Sequence, residues 1–222
     1  MADRTRQSWD VGRFFQTLSY FEEIPVLNWF QKMMPGFTPP APPPVQANLI
    51  FDFSQSDQLD QLWGAVDDVV MGGVSNSGLR YEVGVATFTG TVSTANSGGF
   101  ASVRTRNFEP PLDLSAHQGI ELQVKGDGQR YKFLLRDEDK WDSIAYAFSF
   151  DTVAREWITV RIPFNHLTPV FRAKTVSDAP PVQSQQIRAM QVMLSKFEYD
   201  GALNPRFSPG DFRLSIKAIG VY

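Results

Sequence analysis

Gly119-Ile120-Glu121-Leu122-Gln123-Val124-Lys125-Gly126-Asp127-Gly128-Gln129-Arg130-Tyr131-Lys132-Phe133-Leu134-Leu135-Arg136 reads as strand, turn, strand. Side chains alternate along an extended chain, so Ile120, Leu122 and Val124 share one face, and Tyr131, Phe133 and Leu135 share one face of the next run. Gly126 and Gly128 on either side of Asp127 supply a tight turn. Such alternation belongs to antiparallel sheets packed face to face.

Working outward, the same pattern recurs. Leu49 to Phe53, Val85 to Ser93, Gly99 to Arg104, Ile144 to Phe150, Glu156 to Ile162, Ile187 to Leu194 and Phe212 to Val221 all read as strands bounded by turn residues. Ser54 to Trp63 reads as a helical turn or short helix with Leu59, Leu62 and Trp63 inward. About nine strands over residues 48–222 fit a jelly-roll sandwich, and 42% hydrophobic content in 222 residues furnishes its core.

Upstream the character changes. Val11, Phe14, Phe15, Leu18 and Phe21 recur at helical spacing, with Ser8 as N-cap. Pro25 suits the first turn of a second helix carrying Leu27, Phe30, Met33 and Met34 on one face. Residues 1–34 thus form an amphipathic helical extension. Residues 35–47, with six prolines between Pro35 and Pro44, form an extended linker to the sandwich. The helices either pack on the protein's own body or dock on a membrane surface or a partner's groove. Trp9 and Trp29 suit the docking role.

Composition excludes several chemistries. Net charge is −3, so nothing points to nucleic acid. No cysteine is present, which removes disulfides, thiol nucleophiles and thiolate metal sites. No apolar run is long enough for a membrane span, and the N-terminus lacks the pattern of a secretory signal. His117 and His166 sit in turn-like stretches without metal-ligand spacing, and no Gly-x-Ser-x-Gly elbow occurs. The chain therefore reads as non-catalytic, without metal or cofactor.

One stretch resists a periodic reading: Asp67-Asp68-Val69-Val70-Met71-Gly72-Gly73-Val74-Ser75. It is a structural turn or a functional loop. The acids offer oxygen atoms to a hard cation, but the ligand spacing of a calcium loop is missing. No lysine follows the glycines, so a phosphate-binding P-loop is excluded. A second candidate is the face of Lys132, Leu134 and Arg136, extended by Arg104, Trp141 and Tyr146. Aromatic platforms with guanidinium donors suit protein anchors or sugars.

Those motifs, together with Gly98-Gly99-Phe100-Ala101-Ser102-Val103-Arg104, Trp157 through Pro163-Phe164, Phe171-Arg172 and the closing Phe212 to Tyr222, resemble the complex I intermediate-associated protein 30 family over roughly residues 48–222. The stretch from Trp9 to Phe14 is similar to extensions of photosynthetic relatives. Family members have Gly after the Phe-Arg pair, where this chain has Ala173.

The resemblance implies a galactose-binding-like, all-β antiparallel jelly roll. It also implies an assembly factor or chaperone for unfinished subunits of a membrane-bound respiratory or photosynthetic complex. Its expected place is the cytoplasmic or organelle-stromal side, peripheral to a bioenergetic membrane. On that reading Asp67, Asp68, Met71, Gly72, Gly73, Ser75, Arg104, Arg136, Trp141, Tyr146 and Arg172 bind the partner. Trp9, Val11, Phe14, Phe15, Leu18, Phe21, Leu27, Trp29, Phe30 and Met33 dock on membrane or partner. The alternative is a carbohydrate- or small-ligand-binding module, with Trp141, Tyr146 and Asp142 as its platform.

Overall fold

A computed structural model describes residues 10–20, 41–54, 59–140 and 142–222. In chain order the elements are α1 (Val11–Tyr20), β1 (Leu49–Asp52), α2 (Leu59–Leu62), β2 (Trp63–Ala65), β3 (Asn76–Glu82), β4 (Val85–Val92), β5 (Phe100–Thr105), β6 (Gly119–Lys125) and β7 (Arg130–Arg136). There follow β8 (Ala145–Asp151), β9 (Trp157–Pro163), β10 (Thr168–Phe171), β11 (Lys174–Thr175), β12 (Ala189–Ser195) and β13 (Gly210–Val221). The strands form two antiparallel sheets, a jelly-roll sandwich as expected. The first runs β3-β4-β13-β6-β9, with β1 also beside β13; the second runs β11-β10-β8-β7-β12-β5-β2.

The inward faces make one core. Ile120, Leu122, Ile162, Leu214 and Ile219 of the first sheet meet Val103, Phe133, Leu135, Met190, Val192 and Leu194 of the second, all buried. Phe88 links the layers: its ring lies edge-on to Phe212 at 4.8 Å and to Tyr131 of the opposite sheet at 6.4 Å.

The turn at Gly126-Asp127-Gly128 does not close a hairpin. β6 pairs with β13 and β9, whereas β7 pairs with β8 and β12, so the turn carries the chain from one sheet to the other. Asp127 fixes the crossing. One oxygen accepts the Tyr131 hydroxyl at 3.0 Å and the Arg213 amide at 2.9 Å. Gly126 lies against Thr152, where an added Cβ would come within 2.3 Å of its hydroxyl oxygen.

Four strands went unread in the sequence. β2 takes up Trp63, which continues out of α2 into pairing with β5. β3 begins at Asn76, within the stretch read as loop. β10 and β11 form a hairpin through Arg172 and Ala173, both at positive φ (49° and 61°).

Helix α1 opens at Asp10, whose carboxylate accepts the Arg13 amide at 3.0 Å, as an N-cap does. The cap is therefore two residues later than the Ser8 expected, and Ser8 itself lies outside the described residues. So do the second helix and Pro35, Pro39 and Pro40. At the other end of the linker, Val45 already packs on the core and Gln46 pairs with Leu49.

Candidate functional site

The double-aspartate stretch is built inward. After β2 the chain turns through a single 3-10 turn, Asp68–Met71, and both carboxylates point into the protein, Asp67 1% and Asp68 0% exposed. A buried carboxylate without donors costs several kcal/mol, and here donors are plentiful. Asp68 accepts the Ser75 amide (2.9 Å), the Ser75 hydroxyl (2.7 Å) and the Gly99 amide (2.7 Å). Asp67 accepts the Ser77 amide (2.8 Å), the Ser77 hydroxyl and the Ser102 amide (3.1 Å). The pair thus clamps β3 and β5 to the turn.

This placement explains both glycine pairs. A Cβ on Gly73 would stand 2.3 Å from the Asp68 carboxylate, and one on Gly98 would stand 2.4 Å from it. Gly72 leaves the turn at φ 88°, in the left-handed region. Asp67, Asp68, Gly73 and Ser75, read as partner contacts, are used inside the protein, because carboxylates so far from water demand the donors nearby. Met71 differs: it is 70% exposed at the tip of the turn.

A further donor arrives from outside the sandwich. Arg13 of α1 gives one guanidinium nitrogen to Asp67 Oδ2 at 2.8 Å and the other to the Ser75 carbonyl at 2.9 Å. Burial still pushes the Asp67 carboxyl above its ordinary value; its hydrogen bonds and the Arg13 charge pull the other way. Sequence reading gave Arg13 no role at this site. The signal was there: two adjacent acids without a basic neighbour need a cation from elsewhere in the chain.

The second candidate surface is the outer face of the second sheet. Strand register places Arg104, Gln191, Leu134 and Ala147 in one row across β5, β12, β7 and β8, with Lys132 and Met193 paired in the next. Nearly all of it is covered. Lys132, 5% exposed, gives its ammonium to the carbonyls of Phe197 (2.7 Å) and Glu198 (2.8 Å) and lies 4.5 Å from the Tyr199 ring centre. Burial lowers its pKa to about 8. Arg104 bonds Asn107 at 2.9 Å, Gln191 bonds the Ser102 hydroxyl at 2.9 Å, and Arg136 bonds the Ser143 carbonyl at 2.7 Å. Burial also lowers the Arg136 pKa.

Tyr146 does not belong with Arg136. It stands opposite Leu135 in the register, so its ring enters the core, and its hydroxyl reaches the Pro180 carbonyl at 3.1 Å. Burial and the nearby Asp137 push it up to about 12. Arg172 is exposed and ion-paired to Asp142. Trp141 lies outside the described residues.

Of the proposed docking residues, Val11 is half-exposed on α1 and Phe14 partly buried; Phe15 and Leu18 are placed on the helix by backbone alone. Trp9, Phe21, Leu27, Trp29, Phe30 and Met33 lie outside the described residues. Among those described, no helix is long and apolar enough to cross a membrane. No group of three or more His, Asp or Glu side chains among them is placed to hold a metal ion.

Comparison with known proteins gives two kinds of likeness. Among solved structures, the chain is similar to a family 11 carbohydrate-binding module from Clostridium thermocellum in complex with a β-1,3-1,4-mixed-linked tetrasaccharide. The TM-score is 0.57 at 16% identity, covering 78% of this chain and 94% of that one. The family 11 module of a cellulosomal cellulase from the same organism gives 0.56 at 15%, covering 80% and 95%. An agarase gives 0.53 at 10%, covering 78% of this chain and 24% of that one. At such identities the likeness is one of fold. No curated protein matches significantly. In sequence, the family model for complex I intermediate-associated protein 30 matches residues 51–216. That span runs from β1 into β13 and takes in the aspartate clamp and both sheets, and the chain belongs to the complex I intermediate-associated protein 30 family.

Proposed function

We propose that this protein is a non-catalytic assembly factor. It holds unfinished subunits of a membrane-bound respiratory or photosynthetic electron-transfer complex, from the cytoplasmic or stromal side and peripheral to the membrane. Family membership across the whole sandwich carries the reading. The disposition of side chains supports it. On the second sheet's outer face Arg104, Lys132, Arg136 and Gln191 each hydrogen-bond within the protein, whereas apolar side chains stand out around it: Phe171 at the end of β10, and Phe197 and Leu203 between β12 and β13, the last 71% exposed. These loops are joined. Phe197 bridges Leu203, and Asp200 between them takes the Thr175 amide and hydroxyl and gives its own amide to Ala173. Exposed apolar side chains on braced loops suit a protein client. On this reading residues 1–34 form a helical extension and 35–47 its linker.

The fold likeness to carbohydrate-binding modules favours a second reading, a glycan- or small-ligand-binding module. A sugar needs free polar groups beside an aromatic platform, and Tyr146, one proposed platform, is buried in the core.

The test is affinity purification of the full-length protein from gently solubilised membranes, with mass spectrometry of what accompanies it. Enrichment of subunits or intermediates of a bioenergetic complex over the finished complex is the expected result. Recovery of no protein partner, with glycan binding on an array, would replace the first reading with the second.

A further inference from the structure

The contact that α1 makes with the sandwich has the form of a ligand in a site. Asp67 and Ser75 are at most 1% exposed, and both belong to the folded body. Their oxygens are held in place without α1. Asp67 is fixed by Ser77 and Ser102, and Ser75 by the Asp68 carboxylate. What those bonds leave is further acceptor capacity on Asp67 Oδ2, which already takes the Ser77 amide, and the Ser75 carbonyl oxygen. Arg13 fills that gap with a fork, Nη2 to Asp67 Oδ2 and Nη1 to the Ser75 carbonyl. A planar guanidinium suits two acceptors at once, and an ammonium does not.

We propose that the Asp67–Ser75 loop is a guanidinium socket, filled in cis by Arg13, in which an arginine on a helix of another polypeptide can take Arg13's place. The inference stands on the contact itself and not on the assembly reading.

Three observations give it direction. Burial raises the Asp67 carboxyl even against its hydrogen bonds to Ser77 and Ser102, so a cation at this place relieves a cost that the body carries. The anchor sits on a ten-residue helix, a length too short to be stable alone in water. Leaving the socket therefore also loosens α1. Finally, Met71 is exposed beside the socket and Val11 on α1, so the surroundings offer apolar contact to an incoming helix. Arg13 belongs to the same chain as its socket, and covalent connection makes the contact intramolecular, with an effective concentration on the order of millimolar for short linkers. An arginine from another chain displaces it only at comparable concentration, or when other contacts hold that chain nearby.

The experiment uses isotopically labelled full-length protein and amide hydrogen exchange by NMR. Arg13→Ala should raise the exchange rates of the α1 amides at least about tenfold, while the Ser77 and Ser102 amides stay protected. Arg13→Lys should not restore α1 protection. A synthetic peptide of residues 8–24, added at millimolar concentration, should then shift the Ser77 and Ser102 amide signals of the Arg13→Ala chain. It should shift those of the wild-type chain less, because the Arg13 of that chain competes for the socket. The same peptide carrying Arg13→Ala should shift neither. Two results would overturn the proposal: α1 protection unchanged by Arg13→Ala, or equal shifts from the two peptides.

Discussion

Gly73 and Gly98 carry no side chain because Asp68 occupies the space that one would need. Neither site can relax cheaply, since moving the Asp68 carboxylate breaks its bonds to Ser75 and Gly99. Gly73→Ala or Gly98→Ala should each lower stability by about 2–3 kcal/mol in chemical denaturation. Gly78→Ala, where a Cβ meets open space, should change it by less than about 0.5 kcal/mol. Lys132 gives a second residue-scale prediction. Its folded pKa of about 8 lies below the ordinary 10.5, so between those values the unfolded chain holds a proton that the folded chain does not. Stability should therefore rise with pH from about 8 towards 10, and Lys132→Met should flatten that rise in denaturation curves measured across the range. At this scale the sequence was only half legible. The doubled acids and glycines marked the stretch as special, but whether two carboxylates face solvent or core depends on donors from Ser77, Gly99, Ser102 and Arg13, which adjacency in sequence does not reveal.

Among elements, legibility followed how local the signal was. β6 and β7 were read to the residue because apolar alternation and a glycine turn lie within one short window. β3 was missed because its exposed, polar Asn76-Ser77-Gly78 start looks like a turn, and β2 because three residues are too few to show a period. The crossing between β6 and β7 was invisible for a different reason. Alternation fits a hairpin and a sheet change equally well, and the choice is made by partners some 30 to 100 residues away, β9, β12 and β13. The β10–β11 hairpin carries its own prediction. Its two-residue turn requires positive φ at Arg172 and Ala173, a geometry that costs a residue bearing Cβ about 1 kcal/mol. Ala173→Gly should raise stability by about 0.5–1 kcal/mol, read as an increased denaturation midpoint.

For the molecule as a whole, the fold rests on long-range pairing. β13 is the middle strand of the first sheet: it pairs with β4 along its first half, with β1 along its second, and with β6 on its other side. Removing Lys217–Tyr222 strips β1 of its only sheet partner among the described residues and exposes Ile50 and Ile120. The truncated chain should lose its cooperative unfolding transition and its near-ultraviolet circular dichroism. Fold class was legible from the strand run alone, and family from the ordered motifs. The exposure of Phe171, Phe197 and Leu203 was not, because it depends on how the segments around them pack and not on residue type.

The β1–β13 pairing has a mechanical side. Leu49 stands opposite Gly220, and the Val221 amide reaches the Asn48 carbonyl at 2.8 Å, so the chain enters and leaves the sandwich at one point. Tension applied between residues 45–48 and the last residues would peel this antiparallel pair open from its end, loading one hydrogen bond at a time. Shear, which loads all the bonds together, would not arise. The sandwich is thus built to yield to a weak pull, and that pull would open it first where β1 covers the core.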